Sequence, residues 1–411
     1  MPAAEERSRG AWVPDRRLLA AGAIVGLAIG AAAVSRNRPP TANPEIHRQL
    51  IDWERARSIA IAMNRSDALS ASERARLDDV YRELGAQCMP LISEYTGDRL
   101  PITPERTFAF DRVDWINANI SGFKRMLEPL ETLSPLLSAG PGTGVVARAG
   151  QTVVAGELGL MLGYLARRVL GQYDLALMGR EPIATGQLYY VEPNIAEVER
   201  TLGMPGKDFR MWLTLHETTH AFEFEAHPWL RDHFNSLLER YVSMLNEDAK
   251  QLRERGIRGV GMYVDRARSR RGTDGVLGNW MSALMTPQQR EVFDEMQAVM
   301  CVVEGYSNHI MNAIGRDLLP TYGEISRKFA ERQRQKSQAD QFIARVTGLN
   351  VKMEQYRLGE AFIDRITESR GHAMAHRVWD GPEFLPTLEE IRHPERWMAR
   401  VDARDQAAAR R

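Results

Sequence analysis

Apolar residues recur along most of this chain at spacings of three and four, the period of helices that bury one face. From Pro44 onward the pattern is mainly helical. Ser70-Ala-Ser-Glu73 is a capping box that opens a helix running towards Leu84, with Gly85 as its expected close. A second helix is predicted over Trp115–Leu133, and a long apolar one follows the Gly- and Ala-rich stretch 139–150 as far as about Leu170. Pro228 to about Leu252 reads as a further helix. Thr286-Pro-Gln-Gln289 starts another, with Thr as cap, Pro at the first position and Gln closing the box; it runs through Cys301 to His309. Helices continue to Gly371, and the mixed charges of 402–411 predict a frayed tail. Only two short runs break the helical period. Gly171–Met178 and Gly186–Asn194 are rich in β-formers and predict a hairpin. The expected fold is mainly α with a small β-hairpin or sheet.

The N-terminus has a different pattern. Leu18 to Val34 is an uninterrupted apolar run between Arg16-Arg17 and Arg36/Arg38, at the short limit of a membrane-spanning helix. A retained single-pass anchor at 18–34 is the adopted reading; a signal peptide ending at Ala31-Ala32-Ala33 is the alternative. Arginines on both flanks leave the orientation undecided. Gly22, Gly26 and Gly30 repeat every four residues, which would let two such helices approach in a homo-oligomer, although small residues are common in weakly apolar spans. The organisation expected is a tail over 1–17, the anchor, a linker over 35–43 containing Pro39-Pro40, one domain over 44–401, and the tail.

Composition narrows the partners. Over 411 residues, 54 basic side chains balance 54 acidic ones, so no global basic field would attract nucleic acid. The two cysteines, Cys88 and Cys301, lie far apart among apolar neighbours and read as buried thiols. The arginines at 266, 268, 270 and 271 read as a solvated loop.

The candidate chemistry lies in Leu213-Thr-Leu-His216-Glu217-Thr-Thr-His220-Ala-Phe222. On a helix, positions four apart share a face, so His216 and His220 can close on one metal ion. Glu217, one step round the cylinder, would then address a water on that ion. Three fixed positions are a weak motif, and an amphipathic helix with two polar-face histidines spells the same letters. Here Trp212, Leu215, Thr219, Phe222 and Ala226 form one apolar stripe, with the histidines at its border. Partly buried imidazoles would be satisfied together by a shared metal. Pro228 marks the end of this helix.

A third ligand is needed, and the residues leave alternatives. His227 is seven residues after His220, whereas the spacing for a directly following third histidine is six, where Ala226 stands. Glu223, three residues on, would be strained as a ligand to the same ion. Glu304 interrupts an apolar helix face formed by Phe293, Met296, Met300 and Cys301, where a carboxylate facing a cation would be stabilised.

Several segments together resemble the zincin-like family of zinc-dependent metallohydrolases found mainly in actinobacteria and chloroflexi, one branch of which is labelled as associated with coenzyme F420 biosynthesis. They are Val169–Asp174, Phe209-Arg-Met-Trp212 leading into His216-Glu-Thr-Thr-His220, Pro228–Asp232, Glu304-Gly-Tyr306, Lys352–Tyr356 with Gly359, and Trp379–Pro386. The resemblance covers roughly residues 44–401 and leaves out the apolar N-terminus. It implies a zincin-like architecture, Zn²⁺ held by His216, His220 and Glu304, and Glu217 as the base. In proteases with a glutamate third ligand, an aspartate four residues later often orients a ligating histidine; here that place is Asn308, an uncharged candidate for the same role.

The expected function is a membrane-anchored zinc hydrolase, foremost a peptidase, acting on peptide or amide bonds. The hairpin upstream of the histidine helix could pair with an extended substrate, and Tyr306 and His309 could donate to a developing oxyanion or simply pack. The alternative is a zinc-stabilised binding or scaffold protein without turnover.

Overall fold

A computed structural model describes residues 51–64, 68–100, 106–131, 143–174, 186–255, 285–334 and 349–410. Its elements in chain order are α1 (Trp53–Ala62), α2 (Ala71–Thr96), β1 (Thr107–Phe110), α3 (Arg112–Glu131), α4 (Thr143–Leu165), β2 (Gly171–Asp174), β3 (Gln187–Val191), α5 (Glu192–Leu202), α6 (Gly206–Glu225), α7 (Pro228–Arg255), α8 (Pro287–Leu318), α9 (Tyr322–Arg334), α10 (Leu349–Arg370), α11 (His372–His376), α12 (Leu388–Arg392) and α13 (Pro394–Ala409). The fold is mainly α. The expected hairpin exists as β2 antiparallel to β3, and β1 adds a parallel strand, giving the order β1-β3-β2. Four residues are too few for β1 to show a strand period, so pairing with β3 reveals it and the sequence does not.

The capping boxes at Ser70/Glu73 and Thr286/Gln289 form as expected. Gly85 does not close α2. Leu77, Tyr81, Leu84, Cys88 and Ile92 carry one buried stripe straight past it, and tertiary packing outweighs the weak helix propensity of one glycine. Pro90 sits on the exposed face of α2, where its missing N–H matters least. The true cap is Gly97, in the left-handed region at φ 82°. The tail also differs from expectation. Helix α13 continues to Ala409, tied back by Arg370 to Asp402 and by Arg377 to Asp405. Both cysteines are buried and free.

Around α6 the helices are assembled by close packing. This helix is enclosed on almost every side: Phe209, Met211 to Leu215 and Glu217 to Phe224 are all buried. It is therefore a central helix, where a single apolar stripe had suggested an amphipathic one. Helices α2 and α8 pack on it, and β2 lies along it. A buried polar knot fixes its start: Tyr81 stacks on Tyr190 at 3.9 Å and donates to Glu192, and Arg210 of α6 pairs with Glu192 and Glu199. A smaller second core joins α1, α3 and α4 through Trp53, Ala60, Trp115, Ile116 and Leu162.

The candidate span 18–34, its glycine repeat, the linker and the arginine loop 266–271 lie outside the described residues. Among the described residues, no helix is long and apolar enough to cross a membrane. The single-pass membrane assignment is corrected accordingly. Apolar α4 carries Arg148 and Glu157, and its Gly159 and Gly163 press on Ala56 and Ala60 of α1, so it packs against protein.

Candidate metal centre

Helix α6 brings His216 and His220 together as their spacing requires. Their Nε2 atoms are 3.2 Å apart and the rings meet edge to face. Helix α8 crosses α6 and delivers Glu304, whose Oε2 lies 3.7 Å from His216 Nε2 and 3.9 Å from His220 Nε2. These carboxylate contacts are too long for hydrogen bonds and suit a bridge through an ion. A cation bonded at about 2.1 Å to two donors holds them roughly 3.2–3.7 Å apart at ordinary coordination angles. The side chains of His216 and Glu304 are 18% and 22% exposed, so the cluster is not sealed from solvent.

His220 is gripped from behind. Its Nδ1 lies 2.9 Å from Glu223 Oε2 and 3.0 Å from Ser307 Oγ, and Ser307 donates to Glu223 Oε1 at 2.9 Å. With Nδ1–H given to the carboxylate, the lone pair of Nε2 faces His216 and Glu304, as a ligand must. Sequence reasoning weighed Glu223 only as a ligand and missed this role; its i,i+3 position was the available signal. The Nδ1 contacts of His220 come from Glu223 and Ser307, while the adjacent Asn308 is half-buried on α8. His216 Nδ1 is buried and makes no hydrogen bond among the described residues.

Glu217, the residue after His216 along α6, is buried beneath β2, close enough to His220 and Glu304 for their charges to act on its carboxyl. An added Cβ at Gly171 would fall 2.6 Å from its carboxyl carbon, so glycine is what admits the side chain. Burial pushes the Glu217 carboxyl up to about 7, with His220 and the backbone N–H of Tyr173 opposing and Glu304 assisting. His220 is driven the other way. Burial disfavours its charge, but the carboxylates of Glu223, Glu304 and Glu217 outweigh that and raise it to about 9. His216 is held well below its ordinary value by burial and by the neighbouring His220. Three acids around two imidazoles make a pocket that favours positive charge, and a divalent ion supplies it. The donor set and its spacing fit a metal.

The other residues considered from the sequence lie in a separate cluster. His227, at the α6–α7 joint, is 3.2 Å from Asp98 Oδ2, apart from the three donors. Tyr306 contacts His376 Nδ1 at 2.7 Å, and His309 joins Asp364 at 2.6 Å and Tyr95 at 2.9 Å. The polar atoms of Tyr306 and His309 are thus engaged with one another's neighbours. Of the hairpin expected as a substrate rail, β2 is an edge strand among the described residues and lies beside Glu217.

A mainly helical protein with a His-Glu-x-x-His helix and a carboxylate from a crossing helix has the form of a metallohydrolase. The chain matches the zincin-like metallopeptidase family over residues 51–398, and it belongs to that family. A crystal structure from Chloroflexus aurantiacus, described as a "putative hydrolase with a novel fold", shares 40% identity, covering 86% of this chain and 99% of that one with a TM-score of 0.63. No curated protein matches the chain. These likenesses support a hydrolase and imply a metal.

Proposed function

We propose that the protein is a zinc-dependent hydrolase of peptide or related amide bonds, with His216, His220 and Glu304 holding the ion and Glu217 as general base. The observation that carries this reading is the convergence of those three donors beside a buried Glu217. Zinc bound there would polarise a carbonyl and make a water more acidic. The remaining chemistry belongs to the chain. Glu223 and Ser307 hold the His220 ring with Nε2 facing inward. Glu217, buried beside the donors, would accept a proton from the attacking water and return it to the leaving amine. Gly171 keeps the space in which that carboxylate sits.

Glu217→Gln separates turnover from scaffolding. It preserves size and the three donors, so zinc content should stay near wild type while hydrolysis of a peptide library falls about 10²- to 10⁴-fold. A zinc-loaded E217Q protein that remains active would place the base elsewhere. A folded, zinc-loaded wild type that turns over no library member would favour the scaffold.

A further inference from the structure

Outside that centre, the described residues contain a second convergence of ligand-type atoms. Asp98, His227 and His376 come from three distant parts of the chain, yet their donor atoms all lie within 4.8 Å of one another. Asp98 Oδ2 is 3.2 Å from His227 Nε2 and 3.4 Å from His376 Nε2. Those separations match the edge of a coordination shell whose bonds are about 2.0–2.1 Å.

Each donor is placed by its own local structure. Asp98 follows the left-handed cap Gly97; its N–H donates to Thr96 Oγ1 at 3.1 Å and its carbonyl accepts from the Ser93 hydroxyl. His227 begins the turn into α7, and its ring stacks on Trp379 at 5.6 Å with 13° between planes. Trp379 is fixed in turn, since its carbonyl accepts from Trp229 Nε1 at 3.0 Å. His376 closes α11, with Nδ1 2.7 Å from the Tyr306 hydroxyl, so that Nε2 is the atom turned towards Asp98. A ring clamped through Nδ1 while Nε2 faces a shared carboxylate is the arrangement of a ligating histidine with its supporting partner. His372 extends the group: its Nε2 is 3.3 Å from the same Tyr306 hydroxyl.

We propose that Asp98, His227 and His376 form a second metal site, taking a divalent first-row transition ion such as Zn²⁺ or Co²⁺. Two imidazoles and one carboxylate are the donor set that such ions select over Mg²⁺ or Ca²⁺. The three side chains are 22%, 13% and 22% exposed, so an ion can enter and water can complete its shell. Binding joins the end of α2, the α6–α7 joint and the C-terminal segment around Trp379, and Tyr306 sets the site one face of α8 away from Glu304 and Ser307. The site does not depend on the hydrolase reading, because it shares no donor with the first centre.

The test is metal content and Co²⁺ titration of metal-depleted full-length protein. Wild type should bind two equivalents, Asp98→Asn/His376→Gln one, and His216→Ala/His220→Ala one. Asp98→Asn alone, close in shape to the native residue, should weaken the second equivalent by more than about 100-fold, beyond the loss typical of a mere supporting partner. If the double variant has lost its circular-dichroism signal, the single one decides. Either variant binding Co²⁺ with wild-type stoichiometry and affinity overturns the proposal and makes the cluster a hydrogen-bonded Asp–His group. A wild type whose only equivalent survives in the His216→Ala/His220→Ala protein would instead remove the catalytic centre and leave this site standing.

Discussion

His220 and Glu223 stand one helical turn apart on α6, with Nδ1 2.9 Å from Oε2 and the carboxylate almost wholly buried. An acid buried this deeply is costly unless it serves a partner, and burial pushes Glu223 up to about 7 even with His220 and Ser307 opposing. Its service is to fix the imidazole. Glu223→Gln keeps an acceptor but removes the charge that makes the ring a better donor. Zinc affinity should fall by about 10- to 100-fold. Competition with a chromogenic chelator measures this; unchanged affinity in a folded variant would deny Glu223 the role.

Gly171 tests the base from outside the metal shell. Its replacement by Ala puts a methyl 2.6 Å from the Glu217 carboxyl group, and that side chain must move. Misplacing a base by about 1 Å can cost on the order of 10² in rate. The expected result is a matching fall in kcat with zinc content unchanged. Equal loss of zinc and activity would mean that the substitution disturbs the helix, and full activity would detach Glu217 from the chemistry.

Gly305 and Gly359 set how closely α8 approaches α10. A Cβ on Gly359 would fall 1.8 Å from the Cys301 carbonyl oxygen, and one on Gly305 would fall 2.2 Å from the Gly359 carbonyl carbon. Gly359→Ala should therefore force the helices apart and cost about 2 kcal/mol or more. Gly85→Ala is the contrast, because nothing lies within 4 Å of the added methyl and the backbone is helical. It should raise stability by roughly 0.5–1 kcal/mol. Thermal unfolding of the two variants should move in opposite directions.

That pair also shows what could be read in the sequence. Local rules made the capping boxes, the histidine helix, the Pro228 boundary and the β2–β3 pairing legible, because each is written in neighbouring residues. Glu304 stood out by interrupting an apolar face, although its approach to the histidines depends on how α8 crosses α6. The Gly305 and Gly359 positions were visible as matched segments, but the reason for glycine is a helix crossing between distant stretches. The length of α2 and strand β1 depend on tertiary partners, as does Asp98 meeting His227 and His376. Such contacts have no short-range signature.

The central claim is that one ion is held where His216, His220 and Glu304 converge. Anomalous diffraction at the zinc edge from zinc-loaded crystals of the full chain tests it most directly. The expected result is a peak about 2.0–2.2 Å from His216 Nε2, His220 Nε2 and a Glu304 carboxylate oxygen, which disappears in His216→Ala/His220→Ala crystals. No peak among these three atoms at full zinc loading, or a peak ligated by Glu223 in place of Glu304, would contradict the account.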